Sequence, residues 1–152
     1  MKVKDIMTKD VIFVSPETKI NKVADKLIKH RIHGVPVVKE GKLVGIITET
    51  DFFTKDPPDI YLPSYVNFIK NLKLDKKVSG DQKKKFKKIV NAVASDIMTK
   101  KCITVSPNAK ITELVNLFRK NELCLLPVID ENNSLAGIVA LADIINLIND
   151  TQ

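Results

Sequence analysis

The sequence has little cysteine, few aromatic residues and no long apolar run. Two cysteines in 152 residues exclude a disulfide-stapled scaffold, and the absence of a C-x-x-C pair argues against the usual zinc site. No apolar run approaches the roughly 18 residues that a membrane span needs, and the first residues lack the apolar stretch of a signal peptide. We therefore expect a protein that stays in solution in the reducing cytoplasm.

The net positive charge of the chain comes from one stretch. The net charge is +7, and nine lysines against two aspartates between residues 70 and 90 account for all of it. A local run of this kind is typical of a solvated helix face. The alternative is that these lysines reach acidic partners, phosphate tails or RNA. With 5% aromatic residues, the chain offers no stacking platform for bases, which argues against nucleic acid as a partner.

Comparing the chain with itself shows two copies of one pattern. Residues 5–9, D-I-M-T-K, recur at 96–100, an offset of 91. That offset, rising to 92 after one extra turn residue, also aligns V-S-P at 14–16 with 105–107, P-V at 36–37 with 127–128, and Asp51 with Asp143. Each copy has about fifty residues, which is short for a stable core, so we expect the two copies to pack against each other.

Each copy shows the same alternation of strand and helix signals. The first copy predicts strands over 11–14, 35–38 and 43–47, a helix over 20–28 that exits at Gly34, and a second helix from Glu49. The second copy predicts strands over 103–105, 126–129 and 135–139, and helices over 111–118 and 141–148. Helical spacing of apolar residues, short β-branched runs and proline punctuation support these predictions. The fold class is α/β (α+β), with the order β-α-β-β-α repeated.

The segment between the copies is the least regular part of the sequence. We place copy 1 at residues 1–53, a helical, lysine-rich insertion at 54–94, and copy 2 at 95–152. Residues 83–93 carry Phe86, Ile89, Val90 and Val93 at the spacing of an amphipathic helix. We interpret the insertion as a helical extension that covers an edge of the molecule.

The ordered motifs resemble a CBS (cystathionine-beta-synthase) domain, and they do so twice. D-I-M-T, V-x-P, H-G-V-P-V-V and G-I-I-T-E-T-D carry the likeness, which covers residues 3–53 and 94–149. The resemblance implies two repeats with pseudo-twofold symmetry and two clefts that bind AMP, ADP, ATP or S-adenosylmethionine. It also implies a homodimer that regulates another protein and is not an enzyme.

The resemblance further implies that each cleft takes a ribose-binding aspartate from one copy and much of its adenine slot from the other. The first cleft would contain Asp51, Thr48, His33, Thr99, Ile103, Leu123 and Cys124. The second would contain Asp143, Thr8, Ile12, Ile32 and His33, with Ala140 in place of a hydroxyl. A carboxylate can accept hydrogen bonds from both ribose hydroxyls. Basic residues for phosphate are few around His33, which favours AMP over ADP and ATP.

A structural role competes with ligand binding at these positions. T-x-x-D at a helix start is typical of a capping box, with Thr48 as N-cap and Asp51 bonding back to its N–H. Ala140 has no hydroxyl, so a reciprocal box cannot explain Asp143, whereas ribose binding or the helix dipole can. We therefore expect unequal sites, with Asp51 the stronger candidate. His33 is either a phosphate partner or a surface residue.

Three functions follow from these alternatives. The first is a sensor, in which an adenosine ligand shifts the arrangement of the repeats and a partner protein responds. The second is a ligand-free dimeric adaptor that acts through its surface or its lysine-rich segment. The third, an enzyme, lacks support, because the sequence has no Ser-His-Asp pattern, phosphate loop or metal-ligand cluster. Cys102 and Cys124 are accordingly predicted to be small buried residues.

Overall fold

A computed structural model describes residues 1–54 and 91–150. The predictions for the lysine-rich run and most of the insertion therefore lie outside the described residues. A short 3-10 helix spans Val3–Asp5, and the elements that follow are α1 (Ile20–Lys29), β1 (Gly34–Lys39), β2 (Lys42–Thr48), α2 (Asp51–Thr54), α3 (Ala94–Ile97), α4 (Ile111–Asn121), β3 (Leu125–Ile129), β4 (Leu135–Ala140) and α5 (Leu141–Asp150). The predicted α+β class is confirmed.

Each copy contains one two-stranded antiparallel sheet. β1 pairs with β2, from Gly34 opposite Thr48 to Lys39 opposite Lys42. β3 pairs with β4 in the equivalent register, from Leu125 opposite Ala140. Inward and outward residues alternate along β2, whereas the first four residues of β1 are all buried, as expected for a strand covered on both faces.

The strands predicted at 11–14 and 103–105 are wrong, because each reduces to a single bridging residue. Val14 donates its N–H to the carbonyl of Pro36 (3.0 Å) and accepts the N–H of Val38 (2.9 Å). The next bond of this parallel ladder would require an N–H from Pro36, and proline has none. Val105 makes the same pair of bonds around Pro127, so proline ends the ladder in both copies.

The turn after α1 also differs from the prediction. Arg31, not Gly34, takes the left-handed conformation there (φ 51°), and Glu122 does the same after α4. Gly34 instead begins β1, where an added Cβ would lie 2.9 Å from the carbonyl oxygen of Ile47. Close packing against the neighbouring strand therefore explains this glycine. Val93, predicted to end a helix, is extended (φ −118°, ψ 167°) and precedes α3.

Each hydrophobic core is completed by a segment from the other copy. The first core includes Ala94, with Ile97 and Met98 packed against it. The second includes Val3, with Ile6 and Met7 packed against it. Thr99 and Ile46 exchange backbone hydrogen bonds of 2.9 and 3.0 Å, as do Thr8 and Ile138. The D-I-M-T segments are thus exchanged, which explains why the copies pack as one unit.

Gly137 lies where this exchange is tightest, so Gly137→Ala should destabilise the fold. An added Cβ would lie 2.7 Å from Met7 Sδ and 2.9 Å from the carbonyl oxygen of Thr8. At Gly45, the nearest atoms all belong to the flexible side chain of Met98. We expect urea unfolding to show a loss of about 2 kcal/mol for Gly137→Ala and a smaller loss for Gly45→Ala. Equal losses would contradict the importance of the backbone contact.

Several other properties concern the described part of the chain as a whole. Over residues 1–54 and 91–150, no helix has the length and apolar character to cross a bilayer. In the same ranges, no three His, Cys, Asp or Glu side chains gather as they would around a metal ion. Cys102 and Cys124 are both free thiols.

Candidate ligand-binding clefts

Four aspartates in equivalent places each accept a backbone N–H from three residues earlier. The pairs are Lys2 with Asp5 (2.7 Å), Thr48 with Asp51 (2.8 Å), Val93 with Asp96 (2.8 Å) and Ala140 with Asp143 (2.7 Å). Each carboxylate satisfies an N–H that has no partner within its helix. The capping bond predicted for Asp51 is present. Ala140 excludes the reciprocal box at Asp143, but the half in which the carboxylate accepts the backbone N–H needs no hydroxyl and is present.

Asp51 is the more enclosed of the two candidate ribose ligands. Its side chain is buried, with 7% of the residue exposed. Oδ2 accepts the capping N–H and lies 3.5 Å from Thr48 Oγ1, and Oδ1 accepts the hydroxyl of Thr99 at 3.1 Å. Thr99 belongs to the second copy, so this bond joins the two repeats. The structure therefore brings together Asp51, Thr48 and Thr99 of the predicted first cleft.

Asp143 is only half-buried, and among the described residues it accepts fewer hydrogen bonds than Asp51 does. Thr8, which corresponds to Thr99, is exposed and pairs with Ile138 through its backbone. Within residues 1–54 and 91–150, no hydroxyl donates to Asp143 as Thr99 does to Asp51. Ile12 and Ile32, predicted for the second cleft, are partly buried and pack against the first core. The two aspartates thus make the same kind of capping bond. Among the described residues they differ in the number of further hydrogen bonds that their carboxylates accept.

A cavity of about 360 Å³ lies between the loops that precede these aspartates. We call it the central cavity, and its walls are formed by His33, Thr48, Glu49, Thr50, Glu122, Leu123, Cys124, Leu125, Ala140, Leu141, Ala142 and Ile145. The predicted residues His33, Thr48, Leu123 and Cys124 are thereby brought together. The two aspartates, Thr99 and Ile103 are not among the lining residues, so the residues predicted for the clefts do not all meet in this cavity.

Sequence reasoning missed two acidic residues of the central cavity. Glu49 lies inside the T-E-T-D motif, so the motif itself could have pointed to it. Its Oε1 lies 3.2 Å from Nδ1 of His33, and both side chains are mostly exposed (56% and 75%). Glu122 enters through the left-handed turn after α4. No sequence signal marks that turn, because a non-glycine residue seldom adopts this conformation.

The two thiols differ in environment. Cys102 is half-buried, and its Sγ lies 3.4 Å from the carbonyl of Thr99. Burial raises the pKa of the Cys102 thiol, and the nearby Asp51 carboxylate raises it further. Cys124 was predicted to be buried and is exposed instead. It precedes β3, in which full burial begins at Leu126.

We expect iodoacetamide to alkylate Cys124 at least about tenfold faster than Cys102 at neutral pH. Alkylation requires the thiolate, and a raised pKa lowers the thiolate fraction of Cys102 at any given pH below it. The rate at Cys102 should therefore keep rising as the pH is raised above neutral. Mass spectrometry of the two cysteine peptides measures both rates, and Cys102→Ser and Cys124→Ser serve as controls. Equal alkylation rates at neutral pH would contradict the difference in environment between the two thiols.

A family model and two relatives from one archaeon match most of the chain. The model described as CBS domain matches residues 3–56 and 94–150. Protein MJ1426 of Methanocaldococcus jannaschii is 34% identical over 152 residues, covering 95% of this chain and 89% of that protein. Protein MJ1225 of the same archaeon is 31% identical over 143 residues. Those residues make up 94% of this chain but 45% of MJ1225, so this chain spans less than half of that relative.

Solved structures show the same fold. The crystal structure of MJ1225 aligns with a TM-score of 0.74 and 27% identity, covering 97% of this chain and 47% of that one. The CBS domain pair of protein MJ0100, in complex with 5′-methylthioadenosine and S-adenosyl-L-methionine, aligns with a TM-score of 0.70 and 27% identity. That alignment covers 100% of this chain and 98% of the MJ0100 chain.

Proposed function

The chain belongs to the CBS domain family as a tandem pair of repeats, and we propose that it is a regulatory module that binds an adenosine-containing ligand between them. The observation that carries the proposal is the pair of aspartates that follow the two loops of the central cavity. Each has one carboxylate oxygen in its capping bond and a second oxygen that can accept a ribose hydroxyl. The ligands of the MJ0100 domain pair support the adenosine class.

The adenine would lie on the side of each aspartate away from the central cavity. At the first site we assign to this side Thr99, which bonds to Asp51 and does not line the central cavity, and Ile103, an isoleucine that remains 37% exposed. Partly exposed aliphatic surface of this kind suits the face of a purine ring. At the second site the corresponding residues are Thr8 and Ile12.

We infer that the Asp143 site binds more tightly than the Asp51 site. A ribose hydroxyl at Asp51 must compete with the Thr99 hydroxyl, which already bonds to Oδ1 at 3.1 Å. Within the described ranges, Asp143 has no equivalent bond to give up. This ranking is the reverse of the one predicted from the sequence, which made Asp51 the stronger site because Ala140 has no hydroxyl. A hydroxyl beside the carboxylate can contact the ligand, but it can also compete with the ligand for the carboxylate oxygen.

Among the adenine nucleotides, we expect the affinity to fall as the number of phosphates rises. Among residues 1–54 and 91–150, no lysine or arginine lines the central cavity, and His33, the one histidine of those ranges that lines it, lies beside Glu49. Each additional phosphate therefore adds negative charge without an added partner. AMP is accordingly proposed ahead of ADP and ATP.

Ligand binding would act on the arrangement of the two repeats. Asp51 and Thr99 come from different repeats and share one hydrogen bond, so a ligand that replaces that bond changes how the repeats are joined. A ligand shifts an equilibrium only if it binds one arrangement better than the other. We propose that a separate protein responds to this change, that the module is a homodimer in the cytoplasm, and that it catalyses no reaction.

Thermal unfolding with AMP, ATP, S-adenosylmethionine and 5′-methylthioadenosine tests the proposal. A ligand at 100 times its Kd should stabilise the wild type by about 2.7 kcal/mol and raise Tm by several degrees. The Asp51→Ala/Asp143→Ala double variant should show no such shift. The Asp5→Ala/Asp96→Ala double variant is the matched control, because it loses two equivalent caps and should keep the shift.

The outcomes separate the two non-enzymatic functions. A shift that survives in the Asp51→Ala/Asp143→Ala variant would contradict the assignment of the ribose. The absence of a shift with every compound would contradict ligand binding and favour the ligand-free dimeric adaptor, for which the four aspartates are caps only.

A further inference from the structure

The charge of the central cavity is unusual for a site that would hold phosphate. Glu49 and Glu122 both line it, and of the described residues no lysine or arginine does. His33 can become cationic, but its Nδ1 lies 3.2 Å from a carboxylate oxygen of Glu49. The imidazole of His33 therefore already faces a carboxylate. Within the described part of the chain, a phosphate placed here would meet two carboxylates and no lysine or arginine.

The backbone at the two loops offers little compensation. Helix starts commonly bind phosphate through free N–H groups. Here the N–H groups of Thr48 and Ala140 donate to the capping aspartates. The N–H of Glu49 donates to the carbonyl of His33 (3.1 Å), and that of Leu141 donates to the carbonyl of Cys124 (2.9 Å). Two successive N–H groups in each loop are thus already used within the protein.

Apart from Glu122, the wall contributed by the second repeat is apolar. It consists of Leu123, Leu125, Ala140, Leu141, Ala142 and Ile145, with the Cys124 thiol among them. Leu141 and Ile145 are 41% and 53% exposed, so they have apolar surface left to bury. A methyl or thioether group would gain from covering that surface, whereas a phosphate would lose hydration there.

The chemistry of adenosine directs its 5′ group toward this cavity. The base leaves the ribose at C1′ and the 5′ carbon leaves it at C4′, on opposite sides of the ring oxygen. With the hydroxyls on an aspartate and the adenine on the side away from the cavity, the 5′ group extends toward residues 48–50 or 140–142. These residues line the central cavity.

We infer that the central cavity selects adenosine compounds whose 5′ substituent is neutral or cationic, such as a thioether or a sulfonium, over adenosine phosphates. This inference rests on the proposed function and refines it. Glu49 and Glu122 are the residues that exclude the phosphate, by like-charge repulsion in a partly enclosed space. AMP would then be the best of the nucleotides without being the preferred ligand.

Isothermal titration calorimetry at fixed pH and ionic strength tests the selectivity. The probes are 5′-methylthioadenosine, S-adenosylmethionine and AMP, which share the adenosine group and differ at the 5′ position. We expect both sulfur compounds to bind the wild type at least about tenfold more tightly than AMP. The Glu49→Gln/Glu122→Gln variant should bring 5′-methylthioadenosine and AMP within about threefold of each other, mainly by improving AMP.

The control variant is Glu17→Gln/Glu131→Gln, which removes the same charge from two exposed positions outside the cavity. Its ratio of affinities should equal that of the wild type. AMP binding as tightly as 5′-methylthioadenosine to the wild type would overturn the inference and leave the proposed function standing. A ratio unchanged by Glu49→Gln/Glu122→Gln would likewise overturn it. Failure of all three probes to bind would overturn the proposed function itself.

Discussion

Asp143→Ala is expected to remove the tighter adenosine site and to weaken the first binding event by about fivefold, to the affinity of the Asp51 site, whereas Asp51→Ala leaves that event nearly unchanged. The reason is the unequal state of the two carboxylates. The Thr99 hydroxyl bonds to Asp51 Oδ1 at 3.1 Å, and we propose that a ribose hydroxyl has to compete with it. Both substitutions remove one capping bond of nearly equal length, and Asp51→Ala also removes the bond from Thr99, so Asp51→Ala should cost more stability while affecting the first binding event less. Calorimetry of the two variants with 5′-methylthioadenosine measures the difference.

Thr99→Val provides the complementary measurement. If the hydroxyl competes with the ligand, its removal should raise the affinity of the Asp51 site by about fivefold, the net value of one ordinary hydrogen bond. The same variant should be less stable without ligand, because the buried Asp51 carboxylate loses a donor. A fall in affinity would identify Thr99 as a ligand contact, as its place in the predicted first cleft implies. An equal effect of Asp51→Ala and Asp143→Ala on the first binding event would contradict the ranking.

Periodicity in the sequence predicts the regular elements well, because each depends on its own residues. The valine-rich β1, the alternating β2 and the apolar stripes of α1 and α4 follow from local spacing. The strands predicted at 11–14 and 103–105, where the structure has only single bridging residues, depend on a partner strand. Their apolar residues suit a strand, but the neighbouring position is Pro36 or Pro127, and only the paired structure shows that its missing N–H ends the ladder.

The exchange of the D-I-M-T segments could not be predicted from the repeat. An apolar face on residues 3–7 or 94–98 has the same pattern whether it packs against its own copy or the other one. Self-comparison identifies which residues are equivalent, and it gives no information on which core they enter. The structure decides this by placing Val3 in the second core and Ala94 in the first.

The candidate site could be predicted in its residue types but not in its electrostatics. The aspartates, Thr48, His33, Leu123 and Cys124 follow from the motif. The hydroxyl on Asp51 and the carboxylates in the central cavity do not, because they depend on distances between repeats. Glu122 is the clearest example, since it reaches the cavity from the end of α4, outside every motif that carries the family likeness.

Leu126→Ala should have the largest effect on stability among the variants considered, a loss of about 3 kcal/mol or more in the free energy of unfolding. Leu126 is completely buried in the second core. Its removal leaves a cavity among residues such as Leu114 and Val139, which are also completely buried. Leu141→Ala is the matched control, because Leu141 is 41% exposed and should lose about 1 kcal/mol or less.

The shape of the Leu126→Ala transition is as informative as its midpoint. Val3 of the first copy belongs to the core that the variant damages, and Ala94 beside the second copy belongs to the other. Damage to the second core should therefore also loosen residues 3–7 of the first copy. Urea unfolding followed by far-UV circular dichroism should then remain a single transition. Two separate transitions, with only one shifted by Leu126→Ala, would show that the cores unfold independently. A single shifted transition supports the view that the repeats respond together, which a ligand bound between them requires if it is to act on the whole module.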